Sequence, residues 1–442
     1  MTATGVAGRP ARLTALLDRI DGTLVAPARP ELAPLVHWRG GAHLPIHRWY
    51  RYREGFSPEL IPALGLGRRI LDPFCGSGSI MLGAAQQGRS STGIDVNPLA
   101  AFVARTKLSP LPAGAVATFA ERFPARLGTA EPWPVPALRI AGKVFEPGVL
   151  DTLLRLRTLI ERQPGPVRDL LLLAWLAILQ PVGSYFKEGN GIKYRNRKRV
   201  RTGYVARPDG EWQRARFGAD QAAFVTIAYA AKLGEIVADA PAWDGGAWAD
   251  QRVLLGGAAE ETARLAPGAI DSVVFSPPYA NRFDYFESMK VELWFGGFVD
   301  SYEGLGALRK RSLRSHLGAA LDHRPSGLPE VEELVGLLDP GSYAVRMRVP
   351  ALVRGYFTDM GAVLRACRAA LAPGGECHVV VGNSAYAGVI IPADALIARL
   401  GLAAGFERAR VVPVRHLTVA PQQRATLRGR ERHMRESVVT LA

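Results

Sequence analysis

The distribution of apolar residues along the chain predicts alternating strands and helices. Short apolar runs bounded by polar residues, glycine or proline are typical of buried strands, and longer segments with apolar residues three or four positions apart are typical of helices packed on them. The predicted strands are 69–72, 93–95, 253–260, 272–275, 377–384, 408–414 and 437–441. The predicted helices are 80–87, 98–105, two within 145–180 of which the second starts at residue 170, 224–237, 345–371 and 394–400. This order predicts an α/β fold with a doubly wound sheet, closed by an antiparallel pair from the last two strands.

The segments between these elements divide the chain. Residues 1–42, rich in Ala, Pro and Arg, are predicted to form an N-terminal arm with one short amphipathic piece at 13–20. Residues 116–249 are predicted to form an inserted helical and basic lobe, in which two glycines favour a loop over 185–201. Residues 301–342 are charged and punctuated by glycine, and they are predicted to be a mobile segment. The predicted sheet domain is then made of residues 43–115, 250–300 and 343–442.

A glycine-rich turn follows the first predicted strand. It reads Asp72-Pro-Phe-Cys-Gly-Ser-Gly78, and the second strand ends about twenty residues further on in Asp95-Val-Asn97. Glycines at such a turn let the backbone approach a nucleotide, and an acid after the next strand accepts hydrogen bonds from ribose hydroxyls. A carboxylate at Asp72 would repel a diphosphate, so the turn favours a cationic or zwitterionic ligand such as an adenosine-bearing sulfonium.

A second motif, Ser276-Pro-Pro-Tyr279, stands at the end of the apolar run 273–275. Because proline has no N–H, this strand ends with carbonyl oxygens that lack ladder partners. The Ser276 hydroxyl and the Pro277 carbonyl could accept both hydrogens of a planar amino group while Tyr279 stacks on the ring. A Pro-Pro turn without chemistry is the alternative interpretation of this motif alone.

Together and in this order, the turn at 72–78, the segment 93–97 and the tetrapeptide 276–279 resemble the DNA methyltransferases that modify amino groups with S-adenosylmethionine. The resemblance implies a Rossmann-like methyltransferase sheet, S-adenosylmethionine as cofactor and double-stranded DNA as substrate, and it allows for a cognate restriction endonuclease as partner. Serine at 276 is similar to the N4-cytosine enzymes, whereas aspartate is usual there in the N6-adenine enzymes. The catalytic residues implied are Ser276, Pro277, Pro278 and Tyr279. The cofactor-binding residues implied are Tyr52, Phe56, Ser57, Asp72, Pro73, Phe74, Cys75, Gly76, Ser77, Gly78, Asp95, Val96, Asn97 and Ala258.

One position departs from the pattern of that family. Where the family often has an acid near the adenine amino group, this chain has Gly257, so the backbone at Ala258 or the Glu260 side chain would have to substitute.

The chemistry of an aromatic amine explains the expected roles. Its lone pair is delocalised into the ring, so the amine is a poor nucleophile. Two acceptors that hold both N–H bonds would restore the lone pair and aim it at the methyl donor. The base would also have to be flipped out of the duplex, with Tyr279 as its stacking partner. Carbon methylation of cytosine would need a thiolate, typically after proline, and no Pro-Cys pair occurs. Methylation of adenine N6, methylation of an RNA base amino group, and nucleic-acid binding without catalysis stay open as alternatives.

Charge favours a polyanionic partner. The 55 Lys and Arg against 40 Asp and Glu give a net charge of +15, which basic ribosomal or membrane-surface proteins share. In the lobe, basic residues interleaved with aromatic ones are predicted to contact nucleic acid. A second basic cluster lies in the segment 301–342, which is therefore predicted to be mobile or to contact DNA. These residues are Lys187, Lys193, Tyr194, Arg195, Arg197, Lys198, Arg199, Arg201, Arg309, Lys310 and Arg311.

Three cysteines, Cys75, Cys367 and Cys377, have no metal-ligand spacing and predict neither a zinc site nor a disulfide framework. The longest apolar run, 170–179, is too short to cross a bilayer, and no secretory leader is evident. A cytoplasmic protein without metal or membrane association is therefore expected.

Overall fold

The computed structural model describes residues 9–37, 41, 43–52, 54–189, 191–200, 203–206, 216, 218, 220–243, 248–419 and 423–442. The strands in chain order are β1 Arg69–Asp72, β2 Ser90–Asp95, β3 Tyr185–Glu188, β4 Gly191–Tyr194, β5 Arg197–Val200, β6 Gly203–Ala206, β7 Gln251–Leu255, β8 Ile270–Phe275, β9 Leu371–Gly382, β10 Ser384–Tyr386, β11 Val389–Ile391, β12 Ala409–His416 and β13 Arg435–Leu441.

Seven of these strands form one sheet in the order β12-β13-β9-β8-β1-β2-β7. Neighbouring strands from β9 to β7 are parallel, whereas β13 runs antiparallel to both of its neighbours. The predicted doubly wound α/β sheet is thus confirmed, with its closing antiparallel pair. The strand order reverses between β1 and β8, and in open α/β sheets such a reversal opens a crevice at the carboxyl ends of the strands.

Helices cover both faces of this sheet. They are α1 Arg9–Asp21, α2 Leu60–Ala63, α3 Ser79–Gln86, α4 Pro98–Leu108, α5 Ala113–Leu127, α6 Ala141–Val144, α7 Pro147–Glu161, α8 Gly165–Val182, α9 Gln221–Ala238, α10 Ala258–Thr262, α11 Tyr285–Ser288, α12 Lys290–Phe295, α13 Tyr302–Arg311, α14 Pro329–Gly336, α15 Tyr343–Arg346, α16 Val349–Ala370 and α17 Ala393–Ala403. Because both faces are covered, the β1 residues Ile70 and Leu71 are fully buried although they point to opposite sides.

Two local predictions were wrong. The segment 185–201 was predicted as a loop, but β3 pairs with β4 and β5 with β6 as antiparallel hairpins, since glycine at a hairpin turn reverses the chain between two short strands. The predicted strand 253–260 ends at Leu255, and α10 starts at Ala258.

The N-terminal segment packs on the sheet domain. The apolar stripe Leu13, Leu17 and Ile20 of α1 is buried in the same hydrophobic cluster as residues of α14 and α17. The piece predicted as part of a peripheral arm is therefore a packed helix, because an amphipathic stripe of this kind needs a partner surface.

The helices of the predicted inserted lobe share one hydrophobic cluster with the helices that flank the sheet. Leu173 of α8 and Tyr229 of α9 belong to the same cluster as Met81 of α3 and Leu99 of α4. The predicted lobe boundary between residues 115 and 116 also falls inside α5. The division into domains stays a prediction.

Among the residues that the structure describes, one helix, α8, is long and apolar enough to pass for a membrane span by composition, but 61% of it is buried inside the protein. Its Trp175 side chain is fully buried and donates a hydrogen bond to the Leu153 carbonyl oxygen of α7 at 3.0 Å, as expected of a core helix.

Candidate active site

A cavity of about 780 Å³ opens at the carboxyl ends of β1, β2, β7 and β8. Its wall combines the glycine turn after β1, the polar end of β2, the start of α10, the tetrapeptide after β8 and the segment 310–316. The residues predicted from sequence that line it are Tyr52, Phe56, Pro73, Phe74, Gly76, Asp95, Val96, Asn97, Ala258, Ser276, Pro277, Pro278 and Tyr279.

The remaining residues predicted to bind the cofactor lie behind this wall. Asp72 is 3% exposed, and its Oδ1 accepts a hydrogen bond from the Phe74 N–H at 3.0 Å. Cys75 and Ser57 are buried, and Gly78 adopts a left-handed conformation (φ +79°) immediately before α3. These positions shape the turn, and a direct contact from Asp72 to a ligand stays a prediction.

Close packing and hydrogen bonds fix the conformation of the glycine turn. Gly76 has φ +53°, and a Cβ built on it would lie 2.8 Å from Cε1 of the Tyr52 ring. Asp95 ties the turn to the next strand, because its Oδ2 accepts from the Gly76 N–H at 3.0 Å and its Oδ1 from the Asn97 N–H at 2.8 Å. The backbone at this turn is thus accessible from the cavity and fixed from below.

Burial sets the charge of the two acids. It raises the pKa of Asp95 to about 6, against the hydrogen bonds from the backbone of residues 97, 76 and 96. Burial raises the pKa of Asp72 further, to about 8, and the Asp95 charge adds to this rise. At pH 7 Asp95 is therefore mostly ionised and Asp72 mostly neutral, and the exclusion of a diphosphate by Asp72 stays a prediction. Asp95 thus presents negative charge to the cavity, which the acidic residues Glu54, Glu260, Asp322, Asp359 and Glu436 also line.

The tetrapeptide after β8 is anchored at both ends. Phe275 and Pro277 are buried, which fixes the backbone, while Ser276 is half-buried at the cavity wall. The Tyr279 phenol donates a hydrogen bond to Glu436 Oε1 at 2.7 Å. Burial, followed by the Glu436 charge, raises the pKa of Tyr279 well above its ordinary value, so the phenol keeps its proton.

A smaller cavity of about 370 Å³ lies on the other side of the turn. Ser77, Lys107 and His47 line it, and Tyr52 and Phe56 stand in the walls of both cavities. The Lys107 ammonium donates to the His47 carbonyl oxygen at 3.1 Å, and burial, with Lys232 nearby, lowers the pKa of Lys107 to about 7. These two groups were not predicted, since Lys107 lies in an apolar helix and His47 in a buried turn.

Cys75 is unsuited to nucleophilic chemistry. The thiol is buried, and burial followed by the charges of Asp95 and Asp72 raises its pKa well above the ordinary value. Since the thiolate is the nucleophile, this thiol is suited to filling a small buried space in the turn.

Three of the basic residues predicted to touch nucleic acid are engaged within the protein. The Lys187 ammonium lies 2.7 Å from an oxygen of the buried Glu292. Arg195 donates to the Gly183 carbonyl oxygen at 3.1 Å, where α8 has just ended. Arg309 forms an ion pair with Asp284. These contacts tie the hairpin β3–β4 and the helix α13 to the rest of the protein, and they occupy the charged groups.

Two other predicted contacts face outward. Lys310 and Arg311 are exposed and stand at the rim of the large cavity. Lys193, Tyr194 and Arg197 are half-exposed in the hairpins. Lys198 and Arg199 lie in β5, and Arg201 lies outside the described residues.

The residues that sequence reasoning missed come from distant strands. Glu436 of β13 and Arg415 of β12 both line the cavity. Glu436 stands 157 positions from Tyr279, so no local signal connects the two. Within the described part of the chain, no group of three or more His, Cys, Asp or Glu side chains could hold a metal ion.

Comparison with characterised proteins finds related methyltransferases. The chain is 25% identical over 428 residues to the type II methyltransferase M.BsoBI of Geobacillus stearothermophilus, covering 85% of this chain and 82% of the relative. It is 22% identical over 416 residues to the type II methyltransferase M.AvaI of Nostoc sp. (strain PCC 7120) and, equally, to that of Anabaena variabilis, covering 86% of this chain and 83% of each relative. No protein-family model matches the chain.

Proposed function

We propose that this chain is an S-adenosylmethionine-dependent DNA methyltransferase that modifies the N4 amino group of cytosine. The observation that carries the proposal is the pairing of β1 with β8, Ile70 opposite Ser272 and Leu71 opposite Val273. This pairing brings the glycine turn and the tetrapeptide, about two hundred residues apart in the sequence, into one cavity. The similarity to type II methyltransferases over most of the chain supports the same function.

The residues of the cavity fit the proposed cofactor. Gly76 leaves a cradle that a side chain would fill, and Asp95 offers ionised oxygens where ribose hydroxyls would lie. Glu260, which would substitute for the acid that the family often has where this chain has Gly257, lines the same cavity. S-adenosylmethionine would supply an activated methyl group on a sulfonium, whose positive charge suits a cavity in which Asp95 is ionised.

The tetrapeptide would orient the amine. The Ser276 hydroxyl and the Pro277 carbonyl oxygen would accept its two N–H bonds and so point its lone pair into the cavity. Neither group is charged, and orientation rather than proton removal would supply their contribution. Tyr279 would offer the ring of a flipped base a stacking surface.

The rim of the cavity supports a nucleic-acid substrate. Lys310 and Arg311 project beside the opening, and the net charge of the chain is +15. Phosphates that flank a flipped nucleotide would meet these cations. Double-stranded DNA as substrate, a cytoplasmic location and a cognate restriction endonuclease as partner belong to the same proposal.

The test is methyl transfer from labelled S-adenosylmethionine by the purified chain to phage DNA, followed by digestion to nucleosides. We expect N4-methylcytosine, and a loss of at least about tenfold in turnover for Ser276→Ala, since one of two orienting acceptors is removed. Total RNA and DNA lacking cytosine amino groups serve as control substrates. Label on adenine alone would contradict the base assignment, and label on RNA alone would contradict the substrate class.

A further inference from the structure

We infer that Glu436 is a positioning residue that sets the ring of Tyr279 against the substrate base. The inference rests on the proposed function and goes beyond it, because it assigns a role to a strand on the far side of β9 from the cavity motifs. It starts from the hydrogen bond that the Tyr279 phenol donates to Glu436 Oε1 at 2.7 Å.

The sheet register explains how this contact arises. Glu436 of β13 is paired with Gly382 of β9 on one side and with Arg415 of β12 on the other, so the three positions face the same side of the sheet. Gly382 has no side chain, and a Cβ built on it would lie 2.7 Å from Cε2 of the Tyr279 ring. The ring therefore crosses β9 through the gap that this glycine leaves and reaches β13.

A bulge completes the arrangement. The register of β12 shifts between Pro413 and Arg415, so Arg415, not the buried Val414, stands opposite Glu436. The Arg415 Nε donates to Glu436 Oε2 at 2.5 Å, while Oε1 receives the phenol. Glu436 itself is 3% exposed, and a buried carboxylate is tolerated when a cation and hydrogen bonds satisfy both oxygens.

The two contacts remove the freedom of the Tyr279 ring. A tyrosine at the end of a loop could rotate about its side-chain bonds, but here one edge packs on Gly382 and the hydroxyl is held by Glu436. The exposed part of the ring lines the large cavity. Glu436 thus acts through Tyr279, and it contributes by fixing the plane on which a base would stack.

A double-mutant cycle on methyl transfer to phage DNA tests this role. We expect Tyr279→Phe and Glu436→Ala each to lower kcat by about tenfold, with the KM for S-adenosylmethionine unchanged. The double variant should lose no more kcat than either single variant, because the effects of two residues that act through one contact are not additive. Glu436→Gln keeps an oxygen for the phenol and should restore kcat to within about threefold of the wild type. Glu376→Ala, which removes an exposed carboxylate of the adjacent strand β9, is the matched control and should leave kcat unchanged.

Gly382→Ala moves the same ring without removing a polar group, so it keeps the test valid if Glu436→Ala does not fold. We expect a similar loss of kcat. We also expect stronger fluorescence than with the wild type from 2-aminopurine placed at the target base, because the base would stack less well on Tyr279. The position of the target base is first mapped on DNA methylated by the wild-type protein. Additive losses in the cycle, or unchanged kcat and emission in Gly382→Ala, would overturn the inference. Absence of transfer by the wild-type protein would instead refute the proposed function.

Discussion

The buried carboxyl group of Asp72 is predicted to make the free energy of unfolding depend on pH. Although Asp72 belongs to the glycine turn, its deprotonation is expected to destabilise the protein. Its carboxyl group is 3% exposed, and burial raises its pKa to about 8. In the unfolded chain the same group has a pKa of about 3.9. Between these values the folded protein binds a proton that the unfolded chain has released, so the free energy of unfolding falls as pH rises through this window and levels off above the folded pKa.

Asp72→Asn removes this dependence without changing the shape of the side chain. The amide oxygen can still accept the hydrogen bond from the Phe74 N–H, now 3.0 Å from Oδ1. The free energy of unfolding of the variant, relative to the wild type, should therefore increase by about 1.4 kcal/mol for each pH unit, which amounts to about 3 kcal/mol between pH 5 and pH 7. The variant gains most at pH 8, where the wild-type protein carries the whole penalty.

Urea unfolding of both proteins at pH 5, 6, 7 and 8, at constant ionic strength, measures this difference. Asp271→Asn is the matched control, because its hydrogen bonds with Arg69 lower the pKa of Asp271, so this carboxyl is ionised in both states throughout the range and its removal shifts all four values equally. Two parallel curves for wild type and Asp72→Asn would refute the assignment of a neutral carboxyl beneath the turn.

Three further predictions follow from the site and its surroundings. Asp95, with a folded pKa of about 6, should lose its acceptor role on protonation. Calorimetric Kd values for S-adenosylmethionine should therefore rise by up to about tenfold per pH unit as the pH falls below 6 and stay constant above pH 7. A Kd that does not change with pH would exclude the contact between Asp95 and the cofactor. Gly93→Ala would force a Cβ against the Met81 sulfur and should destabilise the protein by about 1–3 kcal/mol. Gly114→Ala, whose Cβ would meet nothing within 4 Å in α5, should instead stabilise it by up to about 1 kcal/mol. Thermal unfolding that ranks the two variants the other way would contradict the packing. Arg311→Ala should reduce the slope of log K against log salt for DNA binding by about one, and an unchanged slope would remove Arg311 from the DNA contact.

The sequence was most informative where chemistry depends on a few adjacent residues. A glycine turn after a strand and an acid after the next strand have a fixed relation in a parallel sheet, so Gly76 and Asp95 could be placed together before the structure was known. The protonation of Asp72 could not be foreseen in the same way, because it depends on burial by residues from several elements.

Contacts between distant strands were beyond the reach of pattern reasoning. The pairing of Gly382 with Glu436, and the bulge that brings Arg415 opposite it, depend on strand register, which no short motif encodes. The hairpins β3–β4 and β5–β6 were missed because their charged residues conceal the alternation on which strand prediction relies.

The position of β13 has a consequence for synthesis of the protein. This strand is inserted between β9 and β12, yet it is made after both of them and after every other element of the sheet. Until β13 has left the ribosome, the edges of β9 and β12 that pair with it stay open, although β12 can already bond through Val411 to the segment around Val25. A nascent chain would therefore carry an incomplete sheet with open strand edges that can aggregate, and a chaperone that shields these edges would have to release them once β13 has emerged.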